Sequence, residues 1–266
     1  TSPNKRFQLD PQGNLTTLTA GGTVWSYTYN AAHLPETETL TVDGKSHVID
    51  PTYDSLGHIT SLKYGGGSVE FQPNALGQPT VVREGSTQYA GNVRFYPSGL
   101  VQSFQYGNGV GFTQTLDQMQ RPLDIVNAKG GQNKTAHSYR YDANQNVSDI
   151  FDLTNSSQNI TLSYDGADRL KTASGHWGSG DFAYDSTGNL LTKNLGTQRL
   201  SYHYDPVSKR LGSVSGGYQF SYDDRGNVTH NGSRSFQFNR ANQLISSGAV
   251  SYIYDGYNRR VKKSAG

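Results

Sequence analysis

Along much of this chain aromatic residues recur two positions apart: Tyr27/Tyr29, Tyr139/Tyr141, Phe182/Tyr184, Tyr202/Tyr204, Phe220/Tyr222, Phe236/Phe238 and Tyr252/Tyr254. The residue between them is variable (Thr28, Arg140, Ala183, His203, Ser221, Gln237, Ile253). In a strand, residues i and i+2 share a face, so each pair makes an aromatic stripe on one side and leaves the other to polar groups. A two-residue period carried by strand-favouring residue types predicts β-strands throughout. No segment keeps a helical period over the roughly 11 to 18 residues that a helix requires. Almost no helix is expected.

Each stripe runs into a turn. The pattern is clearest at Tyr53-Asp54-Ser55-Leu56-Gly57-His58-Ile59, Tyr184-Asp185-Ser186-Thr187-Gly188-Asn189-Leu190 and Tyr222-Asp223-Asp224-Arg225-Gly226-Asn227-Val228. The Asp side chain can accept a hydrogen bond from the backbone two residues on. Gly three residues after it supplies the positive φ with which a short hairpin closes on a bulge. Where Gly is missing, as in Phe238-Asn239-Arg240-Ala241-Asn242, an Asn tolerates that conformation better than most residues. An apolar residue six positions after the aromatic (Ile59, Val147, Leu170, Leu190, Val228, Leu244) opens the return strand.

With weaker copies included (Leu9, Pro73 and Leu116 in place of the aromatic), the anchor positions fall at 9, 29, 53, 73, 96, 116, 141, 164, 184, 204, 222, 238 and 254. A step of about 20 residues sustained over a whole chain marks a solenoid or an array of hairpins. Lys129-Gly130-Gly131-Gln132-Asn133-Lys134 and Asp152-Leu153-Thr154-Asn155-Ser156-Ser157 read as longer loops at hairpin tips, because the repeat resumes in the same style on both sides. The expectation is all-β: one continuous array of antiparallel β-hairpins over residues 1–266, a curved ribbon with no internal boundary.

Composition narrows the function. Leu, Ile, Val and Phe make up only about a fifth of the residues, near the level of disordered chains, but disorder also needs high net charge. Here the net charge is +2, and 18 Tyr and 31 Gly stand in for the missing aliphatics. Amphipathic rings and turn formers suit a thin, two-faced β-structure. The balance of 23 basic against 21 acidic residues makes no field to steer the chain to nucleic acid or an anionic membrane. There is no Cys, which excludes disulfides and thiolate metal sites. No apolar run reaches the roughly 18 residues of a membrane helix. The chain begins Thr1-Ser2-Pro3-Asn4 with no initiator Met and no signal peptide, and it is expected to be a piece of something longer.

The runs Tyr164-Asp165-Gly166-Ala167-Asp168-Arg169-Leu170, Tyr184 to Leu190 and Tyr254-Asp255-Gly256-Tyr257-Asn258-Arg259-Arg260 resemble the YD repeats of the RHS (rearrangement hot spot) family. Phe71-Gln72-Pro73-Asn74-Ala75-Leu76-Gly77-Gln78-Pro79 and Tyr106-Gly107-Asn108-Gly109 resemble the repeat region of its bacterial members. The resemblance covers essentially the whole chain. It implies a ribbon of hairpins that spirals into a hollow shell. In bacterial polymorphic toxins of this family such a shell encloses a variable C-terminal toxin domain. Those proteins are secreted, delivered by type VI secretion in interbacterial competition, or form insecticidal toxin complexes or wall-associated toxins; related repeats in animal teneurins act in adhesion. The implied partners are an enclosed toxic effector, neighbouring shell segments of the same parent and secretion-apparatus components, with no nucleic acid and no membrane insertion. The family's closing segment, in which Asp-Pro is followed by Gly-Leu ahead of autoproteolysis, has no match: Asp10-Pro11, Asp50-Pro51 and Asp205-Pro206 lack it. Its cleavage activity is therefore not carried over, and no capping or plug domain is expected at the N-terminus of this segment.

Few residues suggest chemistry. The seven His (33, 47, 58, 137, 176, 203, 230) include no i,i+4 zinc pair. Neither a nucleophile elbow nor a phosphate loop occurs, and Gly107-Asn108-Gly109-Val110-Gly111 lacks the spacing and helix of a dinucleotide site, so it reads as a turn. The repeated Asp residues spread one carboxylate per hairpin, whereas Ca²⁺ needs six to eight converging oxygens. Expected are no catalytic residue, no metal and no cofactor, hence a non-enzymatic shell. The alternative is a carbohydrate or cell-surface binding module presenting Trp25, Trp177 and His176, the last two in a Gly-rich loop (Gly175 to Gly180) expected to protrude.

Overall fold

The computed structural model describes residues 4–265. The reading of the chain start at Thr1-Ser2-Pro3, and the last residue Gly266, lie outside the described residues. The chain divides into two compact units, Thr1–Ser86 with Gln219–Gly266, and Thr87–Tyr218. Its strands are β1 (Arg6–Leu9), β2 (Leu15–Ala20), β3 (Thr23–Tyr29), β4 (Pro35–Val42), β5 (Lys45–Tyr53), β6 (Ile59–Tyr64), β7 (Gly67–Pro73) and β8 (Pro79–Glu84). There follow β9 (Thr87–Phe95), β10 (Val101–Tyr106), β11 (Gly111–Leu116), β12 (Pro122–Lys129), β13 (Gln132–Tyr141), β14 (Val147–Asp152), β15 (Ile160–Tyr164), β16 (Leu170–Gly175), β17 (Gly178–Tyr184), β18 (Leu190–Leu195), β19 (Gln198–Tyr204) and β20 (Leu211–Val214). The last are β21 (Tyr218–Gln219), β22 (Ser221–Tyr222), β23 (Val228–His230), β24 (Phe236–Phe238), β25 (Leu244–Ser247), β26 (Val250–Tyr254) and β27 (Arg260–Ala265).

In the first unit β1 to β8 pair antiparallel in chain order. β22 pairs with β23, and β24 to β27 form a separate four-stranded antiparallel sheet. In the second unit β9 to β20 likewise pair each with the next. Among the described residues the only helical segment is a 3₁₀ turn, Ser156–Gln158, in the loop after β14. The chain is all-β and built of hairpins, as its two-residue period predicts.

Two kinds of turn alternate, and together with two strands they account for the repeat length. The first is the expected one. Asp185 N donates to Asn189 O at 2.9 Å, Gly188 N donates to Asp185 O at 3.2 Å, and Asp185 Oδ1 accepts from the N–H groups of Thr187 and Asn189. Gly188 sits at φ 93. The ladder closes with a register shift between Ala183 and Tyr184, so that Tyr184 opposes Leu190; Tyr53 opposes Ile59 and Tyr164 opposes Leu170 in the same way. These are β-bulges, which raise the local twist of each hairpin. The second kind is a two-residue turn at positive φ, such as Gly65-Gly66 or Asp43-Gly44.

Two details differ from expectation, at Tyr96 and at Gly130-Gly131, and the turn expected at Gly107 to Gly111 is present. The turn near position 96 is centred on Tyr96, whose N–H donates to Leu100 O, so Phe95 is the anchor and Tyr96 occupies the Asp place. Gly107 to Gly111 lies in a further turn of the first kind, with Tyr106 N donating to Val110 O and Gly109 N to Tyr106 O. The supposed long loop at Lys129 to Lys134 is a tight turn: Gly130 and Gly131, at φ 59 and 75, join strands that run on to Lys129 and from Gln132. Two adjacent glycines satisfy both positive-φ positions of such a turn, so the strands need not stop early.

Burial is sparse. The buried apolar side chains are Leu18, Ala20, Trp25 and Val42 in the first unit and Ala136, Ala173 and Val214 in the second. Most other strand residues are half-buried or exposed; all six of β14 are half-buried. One face carries the aromatic stripes, and on the other hydroxyl pairs link neighbouring strands, as at Thr28–Thr37 (2.8 Å) and Thr52–Ser61 (2.7 Å).

Several non-glycine residues occupy the positive-φ turn position, among them Gln120 (φ 63) and Gln145 (φ 74), both exposed. A left-handed conformation costs an ordinary residue about 1–2 kcal/mol, and glycine's greater chain entropy takes back about half of that. Gln145→Gly is therefore expected to stabilise the chain by about 0.5–1 kcal/mol in urea denaturation, and Gly188→Ala, at φ 93, to destabilise it by a similar amount.

Candidate functional site

The side chains that distinguish this sheet from an ordinary one join repeat to repeat. The hydroxyl of Tyr184 donates to Leu170 O at 3.0 Å, and that of Tyr204 donates to Leu190 O at 3.0 Å. Tyr29, Tyr53, Tyr141 and Tyr164 do the same to the carbonyls of Leu15, Pro35, Pro122 and Val147. Every acceptor is the residue that opens the return strand of the preceding repeat. Tyr96, out of register, reaches instead to Gln114 O. Burial holds the hydroxyls of Tyr29, Tyr53, Tyr141 and Tyr164 above the ordinary tyrosine range, so they stay protonated donors. Pairing of the rings is legible in the sequence; the hydroxyl bridge is not. The signal that could reveal it is the constant six-residue offset between the preceding repeat's anchor and the residue whose carbonyl is used.

The turns form a second line of contacts. Asp165 Oδ2 accepts from Arg169 Nε at 2.7 Å, Asp185 Oδ2 from Asn189 Nδ2 at 2.8 Å, and Asp223 Oδ2 from Asn227 Nδ2 at 2.8 Å. These bonds, together with backbone N–H donors, lower the three carboxyls from 3.8 to about 2. The same fifth turn position reaches the next repeat: Arg121 lies over the Tyr141 ring at 4.0 Å and Arg169 over that of Tyr184 at 4.7 Å. Asn146 Nδ2 donates to Asp168 Oδ1 in the following turn. The carboxylates thus close turns and stack repeats. Among the described residues no group of three or more His, Cys, Asp or Glu could hold a metal ion, and no helix is long and apolar enough to cross a membrane.

The candidate binding residues fall in different units. Trp25, on β3, is 7% exposed, and its Nε1 donates to Asp255 Oδ2 at 3.0 Å. His176 and Trp177 are the two residues of the tight turn between β16 and β17, where Gly175 opposes Gly178. Their rings meet edge to face at 4.9 Å. His176 is exposed; Trp177 is half-buried, folded back on Gly175, and its Nε1 makes no hydrogen bond.

Residues 81–266 match the family model of the Teneurin YD-shell, more than half of the sequence. The chain belongs to the Teneurin YD-shell family. Residues 6–46 match the RHS repeat. No curated protein matches the chain. Among solved structures it is similar to TcdB2-TccC3-Cdc42 and to TcdB2-TccC3 without its hypervariable C-terminal region, each at TM-score 0.76 and 13% identity over 97% of this chain. TcdB2-TccC3 itself matches at 0.75 over 98%. At such identity the likeness is one of fold. This YD-shell chain spans 17% of the length of each solved chain.

Two outcomes are expected from the wall's contacts. Tyr184→Phe removes the bond to Leu170 O while keeping the ring, and is expected to cost about 1 kcal/mol in urea denaturation; Tyr139→Phe, on the same kind of stripe but outside these bridges, is expected to cost less than half as much. The turn carboxyls have folded values depressed from 3.8 to about 2, so their contribution is complete above pH about 4 and lost as pH falls toward 2. Thermal melts between pH 6 and 2 should fall over that lower window, and fall less steeply in a variant carrying Asn at 165, 185 and 223.

Proposed function

We propose that the chain is a non-enzymatic wall: one continuous array over residues 1–266 that, with neighbouring segments of a longer parent, encloses a toxic effector domain until delivery to a target cell. The observation that carries this reading is the combination of a thin sheet with a tyrosine bridge from one repeat to the one before it at six of the repeats. A wall must cover area with little chain and still resist parting between strands, and the tyrosine bridges supply that resistance without a thick apolar interior. Membership of the YD-shell family supports it, as does a fold shared with TcdB2-TccC3, one form of which was solved without a hypervariable C-terminal region. Its partners on this reading are the enclosed domain, adjoining shell segments and parts of a secretion apparatus, in a secreted bacterial protein; type VI secretion and interbacterial competition are the delivery setting the repeats suggest. A glycan-binding role rests on the exposed His176 and the half-buried ring of Trp177, whose indole N–H is itself buried; a glycan array probed with the wild type and Trp177→Ala tests it.

Containment is tested by proteolysis of the parent polypeptide. A protease site placed in the enclosed domain should resist cleavage while the array is intact and become sensitive when Tyr164, Tyr184 and Tyr204 are all Phe. Equal cleavage with and without the array would reject containment.

A further inference from the structure

In the first unit one turn departs from all the others. Asp255 opens the last turn of the repeat kind, yet it is 1% exposed, whereas the corresponding Asp54 is half-buried. Its Oδ1 accepts from Tyr257 N and Arg259 N, as in every such turn. Its Oδ2 accepts from Arg259 Nε at 3.0 Å and from the indole of Trp25, 230 residues earlier, also at 3.0 Å. The turn lies on the aromatic face of β2 and β3. Gly256 is so close to Leu18 that an added Cβ would stand 2.5 Å from Leu18 Cγ. The position two residues after the turn-opening Asp or Asn, which elsewhere holds the exposed Leu56 and Leu76, is here Tyr257, whose ring meets Trp25 edge to face at 6.1 Å and whose hydroxyl accepts from Tyr27 at 2.8 Å. Lys5 Nζ donates to Asn258 Oδ1, and Lys262 pairs with Asp43.

These contacts follow the grammar that joins one repeat to the next. Arg169 lies over the ring of the following anchor at 4.7 Å; Arg259 lies over Trp25 at 4.7 Å. Trp25 therefore stands where a next anchor would stand. No strand pairing joins β24–β27 to β1–β8 among the described residues, so this junction is made by side chains alone. It also covers two of the unit's buried residues, Leu18 and Trp25.

We propose that the hairpin β26–β27 is a latch: a repeat turn that takes the N-terminal strand β3 as its neighbour and so closes the first unit, and that can swing open while the hairpin ladders stay paired. A carboxylate buried without its donors is strongly unfavourable, so the latch is seated or released, with no half-seated state. Its operation does not depend on what the array encloses.

Hydrogen–deuterium exchange of the 266-residue chain tests the latch. Gly256→Ala inserts a methyl against Leu18 and nothing else; the same turn position holds Ser55, Ala75 and Ser186 elsewhere, and Gly256 is not at positive φ. Trp25→Phe removes the indole donor together with part of the ring that Tyr257 and Arg259 pack on, and serves if the glycine variant does not fold. Either change is expected to speed exchange in β2–β3 and in 255–259 together by about tenfold or more, the size set by one lost bond to a charged group. The strands β5–β8 should keep wild-type rates. Gly166→Ala, the same position after Asp165 with open space around it, should change nothing. The latch is refuted if β2–β3 keeps its wild-type rate in both variants. It is equally refuted if β5–β8 accelerate in step with β2–β3, which would make the contact part of one cooperative core.

Discussion

A thin sheet must hold its strands together without the lateral pressure of a packed core, and here the tyrosine hydroxyl supplies the missing constraint. A backbone ladder alone fixes neighbours within a hairpin; it does little to stop one hairpin from sliding on the next, because a two-residue period specifies register weakly when neither face is buried. A phenol that reaches the carbonyl opening the previous return strand, as Tyr164 does to Val147 and Tyr184 to Leu170, fixes both register and spacing. The bulge at each of these anchors, the positive-φ residue three places after the turn opener and, at Tyr141 and Tyr184, the arginine over the ring all serve to present that hydroxyl at one height.

The strands, the turns and the near-absence of helix can be read directly from the sequence, because each depends on neighbours within six residues. Tyr53 to Ile59 contains its own hydrogen-bond partners, so its conformation is set by local chemistry. The illegible features involve partners at longer range. The anchor near 96 falls one residue earlier than the aromatic pattern places it, because Tyr96 is an aromatic in the carboxyl's place. Only pairing with the neighbouring strands sets which of Phe95 and Tyr96 ends the stripe. Gly130-Gly131 reads as a loop because two glycines among polar residues carry no strand signal of their own. Residue type alone makes Trp25 a ring for a ligand; its burial under Asp255 comes from a contact 230 residues away that no periodicity encodes.

The acidic residues teach a related lesson. A row of aspartates at regular spacing invites a catalytic or metal reading, yet each is consumed by its own turn: two backbone donors on one oxygen and a side-chain donor on the other. The depressed carboxyls of Asp165, Asp185 and Asp223 are marks of turn closure and not of poised acid–base groups. Where such a residue acquires a distant donor, at Asp255, the gain is architectural as well.

The tyrosine bridges have a direction. Apart from Tyr96, each hydroxyl points to a carbonyl that was placed in the chain before it. A nascent chain leaving the ribosome therefore always meets an acceptor already in position, and each hairpin can be fastened as it emerges, before any later repeat has been made. Growth of the gene by duplicating a repeat would insert a unit that arrives with its own donor and leaves a fresh acceptor behind, so the length of such an array is free to vary while its joints stay the same.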